Sequence, residues 1–421
     1  MKLNKKLLSN FSYLSIIQIL TLIIPFIYYP YLIRKYNISD YGLVIFIQSI
    51  VMLLAIIVDF GFNISGTRLV SENRDKKLRL NIIYSSITYI KIGLFLICFI
   101  IYQALIIFNE KLSENYLLSN FLFLIILGEA FFSQWLYLGL EQIKFAALIN
   151  FISRVFLLIF IFIGTNTELG FLAFPIALIL SSLLNGFLSI FFIRRKLKIR
   201  FTRVSFSRMK KDFLESYSFL LSRSIGVIIL KFNTYLIGNY IGLAQVAYYD
   251  LAEKLINLAL LPLNMLNQVL YPHIAKTKNF KLTFKTIYIL LVIYILSYPF
   301  IVYFGEDIII LFAGNHMSIA YDYFIILYLI PVFNIITYFS GNCGLVLINK
   351  KNEFNNSIYF SGLVYLMILL VLYSTKILSV NSLCGALVLN AMFTALYRAT
   401  YCIKYKNLFI KYQSKAELSK C

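Results

Sequence analysis

FSYLSIIQILTLIIPFIYYPYLI, residues 11–33, decides the fold. It follows Met1-Lys2-Leu3-Asn4-Lys5-Lys6, so the N-terminus imitates a secretory signal. A signal's apolar region runs about 7–15 residues and ends at a small-x-small cleavage site. This run is longer and meets no such site. It reads as an uncleaved span, since a bilayer takes about 20 apolar residues in helix. Stretches of the same kind recur at 42–63, 82–107, 117–139, 144–164, 169–193, 213–238, 246–270, 285–304, 319–347, 355–375 and 382–403. The reading is an all-α polytopic protein of about twelve membrane helices. Two junctions are the least sharp. Only Leu140 to Ile143 separates the fourth and fifth spans, and the ninth can run on through Ile308 to Phe312.

Composition agrees. The 421 residues are 61% hydrophobic and 14% charged, with a mean hydropathy of +0.83. A soluble domain carries about 45–50% apolar and about 25% charged residues. So much apolar surface cannot be hidden in one core, and lipid must serve as solvent. The net charge of +21 would suit nucleic acid if it lined one soluble face. Here Lys and Arg sit between spans, which excludes nucleic acid as a partner and points to loops held near anionic membrane lipids. Cys98, Cys343, Cys384, Cys402 and Cys421 form no CxxC pair and read as small core residues. His273 and His316 lack ligand spacing, so no metal is expected.

The positive-inside rule sets the orientation. With the N-terminus in the cytoplasm, the inner segments collect Lys2 to Lys6, Arg68 to Arg79, Lys144, Arg194 to Lys211, Lys276 to Lys285, Lys350 and Lys351, and Lys404 to Lys420. The outer ones hold Arg34, Lys35, Lys111 and Lys376. Both termini are therefore expected inside, in the inner membrane. The longest polar loop lies midway and is strongly basic. It divides the chain into an N-terminal bundle (1–193), a cytoplasmic linker (194–212) and a C-terminal bundle with a basic tail (213–421). A faint direct repeat supports the division: Ser12-Tyr13 answers to Ser216-Tyr217, and Tyr31-Leu32-Ile33 with Tyr36 to Tyr235-Leu236-Ile237 with Tyr240. Two six-helix halves of like orientation suit alternating access.

A membrane enzyme needs convergent acids, bases or ligands. The outer loops are short, and the nearest approach is Glu306-Asp307 at a span end, with His316 further along. Adjacent acids seldom converge on one substrate, so these read as solvated and catalysis as the weaker reading. Charge inside the spans is the stronger signal: Lys91, Arg154, Arg223, Lys231, Lys254 and Arg398. Arg223 lies roughly 15 Å deep and Lys254 roughly 12 Å deep by helical rise. Several have ordinary alternatives. Asp250 can hold Lys254 at i−4, Glu129 or Glu141 can hold Arg154, and Lys91 and Arg398 can reach back to the inner interface. Arg223 has no acid deep in its own helix and leads as a ligand for an anion. A chamber with several cations suits phosphate or carboxylate, such as a large anion on a lipid carrier.

Four stretches carry a resemblance. They are Pro25 to Gly42 (PFIYYPYLIRKYNISDYG), Asp59-Phe60-Gly61-Phe62-Asn63 with Ser65-Gly66-Thr67-Arg68, Trp135 to Glu141 (WLYLGLE) with Lys144, Asn150 and Arg154, and Tyr271-Pro272. Together they resemble the polysaccharide and O-antigen flippases (the Wzx type) of the multidrug/oligosaccharidyl-lipid/polysaccharide exporter superfamily. Tyr137-Leu138 departs from the Phe-Gln often found in that family. The resemblance implies movement of an undecaprenyl-diphosphate-linked glycan between leaflets, with no cofactor, a proton or sodium gradient as the driving force, and a polysaccharide polymerase as a further partner. It implies a V-shaped, MATE/MOP-like pair of bundles whose first, second, seventh and eighth spans line the cavity. Arg223, Lys231 and Lys254, with Lys91 and Arg154, are then the substrate-binding cations. Asp59, Asp250 and Glu253 are the coupling or lumen acids. Asp59 with Arg68 can instead form an inner-edge ion pair, and the Trp135 stretch can be a helix-packing signature. Pro25, Pro30 and Pro262 interrupt spans on the lumen side, where a lost backbone hydrogen bond favours bending. A multidrug or metabolite exporter of the same superfamily and a membrane enzyme of polysaccharide assembly are the alternatives.

Overall fold

The computed structural model describes residues 5–410 and residue 412; the basic tail beyond, and a few side chains including that of Arg223, lie outside the described residues. Among the described residues the chain is helical, with short 3-10 and π stretches and no strand. Ten segments are long and apolar enough to cross a membrane. Two more helices are of spanning length, α11 (Phe206–Leu236) and α12 (Leu243–Thr277). These two carry Arg223, Lys231, Asp250, Glu253 and Lys254.

The chain forms two compact units, Met1–Tyr235 and Leu236–Cys421. The boundary falls at the end of α11, beside the π stretch Ile237–Ile241, downstream of the basic 194–212 segment. Local bonding explains why α11 begins within the first unit. Ser86 Oγ, on α4 (Lys77–Phe108), donates to Asp212 Oδ2 at 2.7 Å, and the Ser65 and Ser216 hydroxyls meet at 2.7 Å. Arg68 pairs with Glu215 at 3.1 Å, and Phe213 stacks on Phe60 at 4.1 Å.

In the first unit, α1 (Lys5–Lys35) runs unbroken through Pro25 and Pro30, so those prolines do not end the span. The Asn37 side chain caps α2 (Ile38–Asp59) by accepting from the Ser39 N–H at 2.9 Å. This helix stops where Phe60 and Gly61 take positive φ, 45° and 77°, and α3 (Phe62–Ser71) starts afresh. The fourth span is three pieces after α5 (Glu110–Glu114): α6 (Tyr116–Phe123), α7 (Ile125–Phe131) and α8 (Gln134–Gly139). A three-residue turn leads to α9 (Ile143–Gly164), then α10 (Ala173–Arg195).

The family-like motifs meet each other here. A Cβ on Gly66 would come within 2.8 Å of the Trp135 ring, and one on Gly139 within 2.6 Å of Val70. Thr67 Oγ1 donates to the Trp135 carbonyl at 3.2 Å. Small residues let α3 and α8 touch backbone to backbone, as helices in lipid require for close packing. Trp135 and Tyr137 are fully buried, and the Tyr137 hydroxyl donates to the Ser189 carbonyl at 3.1 Å. The Trp135 stretch is thus a packing signature and not a sugar-facing surface.

In the second unit α12 is followed by α13 (Phe280–Ala313), α14 (Ala320–Leu327), α15 (Ile330–Gly341), α16 (Lys351–Ser374) and α17 (Val380–Lys404). Helix α12 continues through Pro262 and Pro272, so Tyr271-Pro272 closes nothing. Helix α13 does run on past Phe312. It takes in Glu306 and Asp307, which are exposed on a helix and not at the head of a loop. Cys98, Cys343, Cys384 and Cys402 are free and buried, while Cys421 lies outside the described residues.

Candidate functional site

Close approach of α7 to α10 builds the site. Gly128 sits against Ser182, a Cβ on Gly186 would lie 2.8 Å from the Gly128 carbonyl, and Ser182 Oγ donates to the Ile125 carbonyl at 2.9 Å. The residue after Gly128 is Glu129, an acid well inside the fourth span. It lines a cavity of about 90 Å³ with Gln48 from α2, Ser153 and Arg154 from α9, and Ser181, Ser182 and Asn185 from α10. Met52, Leu157 and Leu178 supply apolar wall. The buried Ser153 Oγ and Asn185 Oδ1 have no protein hydrogen-bond partner. A polar cavity of this size accommodates several waters or an ion. A diphosphate carrying sugars does not fit in it.

Glu129 is exposed and Arg154 half-buried, and no carboxylate lies within 4.0 Å of Arg154 among the described residues. Glu129 and Arg154 share the wall of the one cavity. Lys91, only 3% exposed, donates to Asp59 Oδ1 at 3.1 Å, and Asn63 Nδ2 donates to Asp59 Oδ2 at 3.0 Å. The first unit thus holds two charge groupings, the Asp59–Lys91 ion pair between α2 and α4 and the wall shared by Glu129 of α7 and Arg154 of α9. An ionised group at this depth is stable only beside a counter-charge or water, and each grouping sets an acid with a cation.

Several expectations resolve differently. Asp59 pairs with Lys91 and not with Arg68, whose partners are Glu215 and, at 3.7 Å, Glu72. Glu141 is held by Arg74 at 2.5 Å, which leaves Glu129 as the acid near Arg154. Lys91 does not reach back to the interface; it is enclosed and paired. Lys254 pairs with Asp250 on its own helix, the ordinary alternative for it. Glu253 and Lys231 lie on α12 and α11, outside the first-unit cavity. The Arg223 side chain lies outside the described residues.

Arg398 is a plain correction. It does not snorkel but is buried, 5% exposed. Its Nε donates to Ser357 Oγ at 2.8 Å and its Nη1 to the Thr337 carbonyl at 2.9 Å, while the guanidinium lies 4.2 Å from the Phe354 ring centre. It ties α15, α16 and α17 together. Glu129 itself was seen only as a partner for Arg154. The signal that could have promoted it was in the sequence: an acid mid-span is a functional candidate by default.

A family model described as polysaccharide biosynthesis protein matches residues 7–278. Among curated relatives, a Shigella dysenteriae protein named "Putative O-antigen transporter" is 26% identical over 320 residues, 73% of this chain and 78% of the relative. An Escherichia coli K12 protein of the same name is 22% identical over 270 residues, 64% of this chain and 65% of its own length. Among solved structures, the lipid II flippase MurJ in an inward closed conformation aligns with TM-score 0.68 and 16% identity, covering 98% of this chain and 91% of that one. An inward-facing multidrug resistance MATE family transporter of the MOP superfamily aligns at 0.66 and 14%, covering 90% and 96%. The helical membrane fold is thus MATE/MOP-like, and with the match over residues 7–278 the chain belongs to the polysaccharide biosynthesis protein family.

Proposed function

We propose that the protein is an inner-membrane transporter, not an enzyme, that moves undecaprenyl-diphosphate-linked oligosaccharide repeat units of O-antigen or capsule type by ion-coupled alternating access between two bundles. The relatives named for O-antigen transport support the cargo. The observation that carries the mechanism is the Glu129 cavity, with Arg154 in its wall. Charges at bilayer depth mark ion pathways and relays. The cavity is too small for the cargo and of the right size for water and a small cation, so Glu129 is the group that takes up the coupling proton or sodium ion. Neutralising it changes the field on Arg154, which biases one arrangement of the helices over another. The diphosphate is a separate matter. Lys91 and Lys254 are each held by an acid, and Arg223, midway through its span by helical rise, and Lys231 are taken as the cations for the headgroup.

A strain lacking the protein tests the proposal. It should lose surface glycan and accumulate lipid-linked repeat units that a membrane-impermeant glycosidase cannot reach. The wild-type gene should reverse both. Glu129→Gln should be present at normal level yet restore display at least about tenfold less well, the scale of losing one coupling interaction of about 1.4 kcal/mol. Unchanged display with Glu129→Gln removes the coupling role. Undisturbed repeat units in the deletion strain remove the cargo and favour an exporter.

A further inference from the structure

A second cavity, half-open and of about 890 Å³, lies at the basic end of α10. Arg194, Arg195 and Arg200 line it together with Phe187, Phe191 and Phe201. We infer that this cavity binds an anionic glycerophospholipid of the surrounding leaflet, the guanidiniums holding the phosphodiester and the phenyl rings holding the upper acyl chains.

Three observations carry the inference. The cationic side is unspent, because among the described residues no carboxylate lies within 4.0 Å of any of the three arginines. The Arg195 guanidinium lies 6.0 Å from the Phe191 ring centre, its one ring contact among the described residues. The wall is also built in advance. The extended segment after α10 is pinned along one face of α4, where the Arg200 N–H donates to Asn81 Oδ1 at 3.0 Å and the Thr202 N–H to Ser85 Oγ at 2.9 Å. Phe201 packs on Tyr84 at 4.9 Å between those two bonds. A stretch of the segment read from sequence as a cytoplasmic linker is thus a fixed ridge carrying a guanidinium and a phenyl ring. Finally, the position is amphipathic. Arg194 and Arg195 end the span Gly170–Arg195, and Phe187 and Phe191 precede them on exposed turns of the same helix. Headgroup phosphate lies at that level, acyl chains lie one or two turns below, and basic pockets between helices hold anionic headgroups in this way. Arginine's planar fork matches phosphate oxygens in pairs, which a diffuse surface charge does not. A soluble phosphate would leave the aromatic wall unused.

The full-length protein in nanodiscs, examined by native mass spectrometry, tests the inference independently of the transport reading. Wild type should retain phosphatidylglycerol at least about tenfold over phosphatidylcholine in equal mixtures, and excess inorganic phosphate or glycerol phosphate should not displace it. Each of Arg194→Gln, Arg195→Gln and Arg200→Gln should lower retention about fivefold, the scale of one basic contact at a membrane surface. The triple variant should fall to the phosphatidylcholine level, while Lys404→Gln with Lys406→Gln should leave retention intact. Equal retention of both lipids, full retention by a folded triple variant, or displacement by inorganic phosphate overturns it. If the triple variant does not fold, the lipid competition on wild type decides alone.

Discussion

Lys91 in the first unit and Arg398 in the second are both buried cations, at 3% and 5% exposure, and they are stabilised by opposite means. Lys91 has a carboxylate, Asp59, whose own side chain is 37% exposed. Arg398 has no carboxylate within 4.0 Å among the described residues; neutral oxygens and an aromatic face surround it. A buried ion is costly in either setting. Pairing with an acid that reaches solvent leaves the charge adjustable, since protonation or a visiting cation can alter it. Neutral donors and acceptors leave it fixed. The first arrangement suits a moving part and the second a fastening.

Four substitutions sharpen or break this contrast. The largest effect is expected for Asp59→Asn, which strands an enclosed ammonium. About 3 kcal/mol of stability should be lost, seen as lower membrane levels and earlier thermal unfolding in detergent. Lys91→Met should cost clearly less, because Asp59 keeps access to water, and the double variant should recover most of the stability while transport stays lost. Equal losses from the two single changes would contradict the asymmetry. Next, Arg398→Leu removes the bonds to Ser357 and Thr337 and should cost about 2 kcal/mol. Transport per folded molecule should hold near wild type in a glycan-display assay normalised to protein, and a selective loss of transport would place Arg398 with the moving part. The smallest effect is expected at Gly341. A Cβ there would crowd the Arg398 guanidinium and come within 2.9 Å of Phe354. Gly341→Ala should cost about 1 kcal/mol by overpacking, and combined with Arg398→Leu the two costs should add to less than their sum, a double-mutant cycle that measures their contact.

Most of the architecture was legible because membrane spans announce themselves by length and apolarity. Residues 11–33, the turn at 140–143 and the extension of the ninth span past Phe312 all appear where hydropathy puts them. The prolines do not break the helical assignment, since Pro in a span is tolerated when neighbouring groups satisfy the freed carbonyl, and α1 and α12 continue through theirs. The basic 194–212 segment shows a further limit of sequence: charge predicts exposure to water and says nothing of contacts, and Asn81 and Ser85 hold its backbone at Arg200 and Thr202. At the candidate site, sequence found Asp59, Lys91 and Arg154 and offered Glu129 beside Arg154, but it could not pair Asp59 with Lys91, which lies 32 residues further along the chain. Only the i−4 pair of Asp250 with Lys254 was readable, as helical spacing fixes it.

Trp135 is the one tryptophan in the sequence, and its indole N–H is enclosed without a hydrogen-bond partner among the described residues. The protein therefore carries a native optical probe at a single known address, the seam where α3 crosses α8 beside Tyr84. Its emission should be blue-shifted at rest, and any red shift on adding ions, lipid or cargo would report that this seam, and no other place in the molecule, has opened to water.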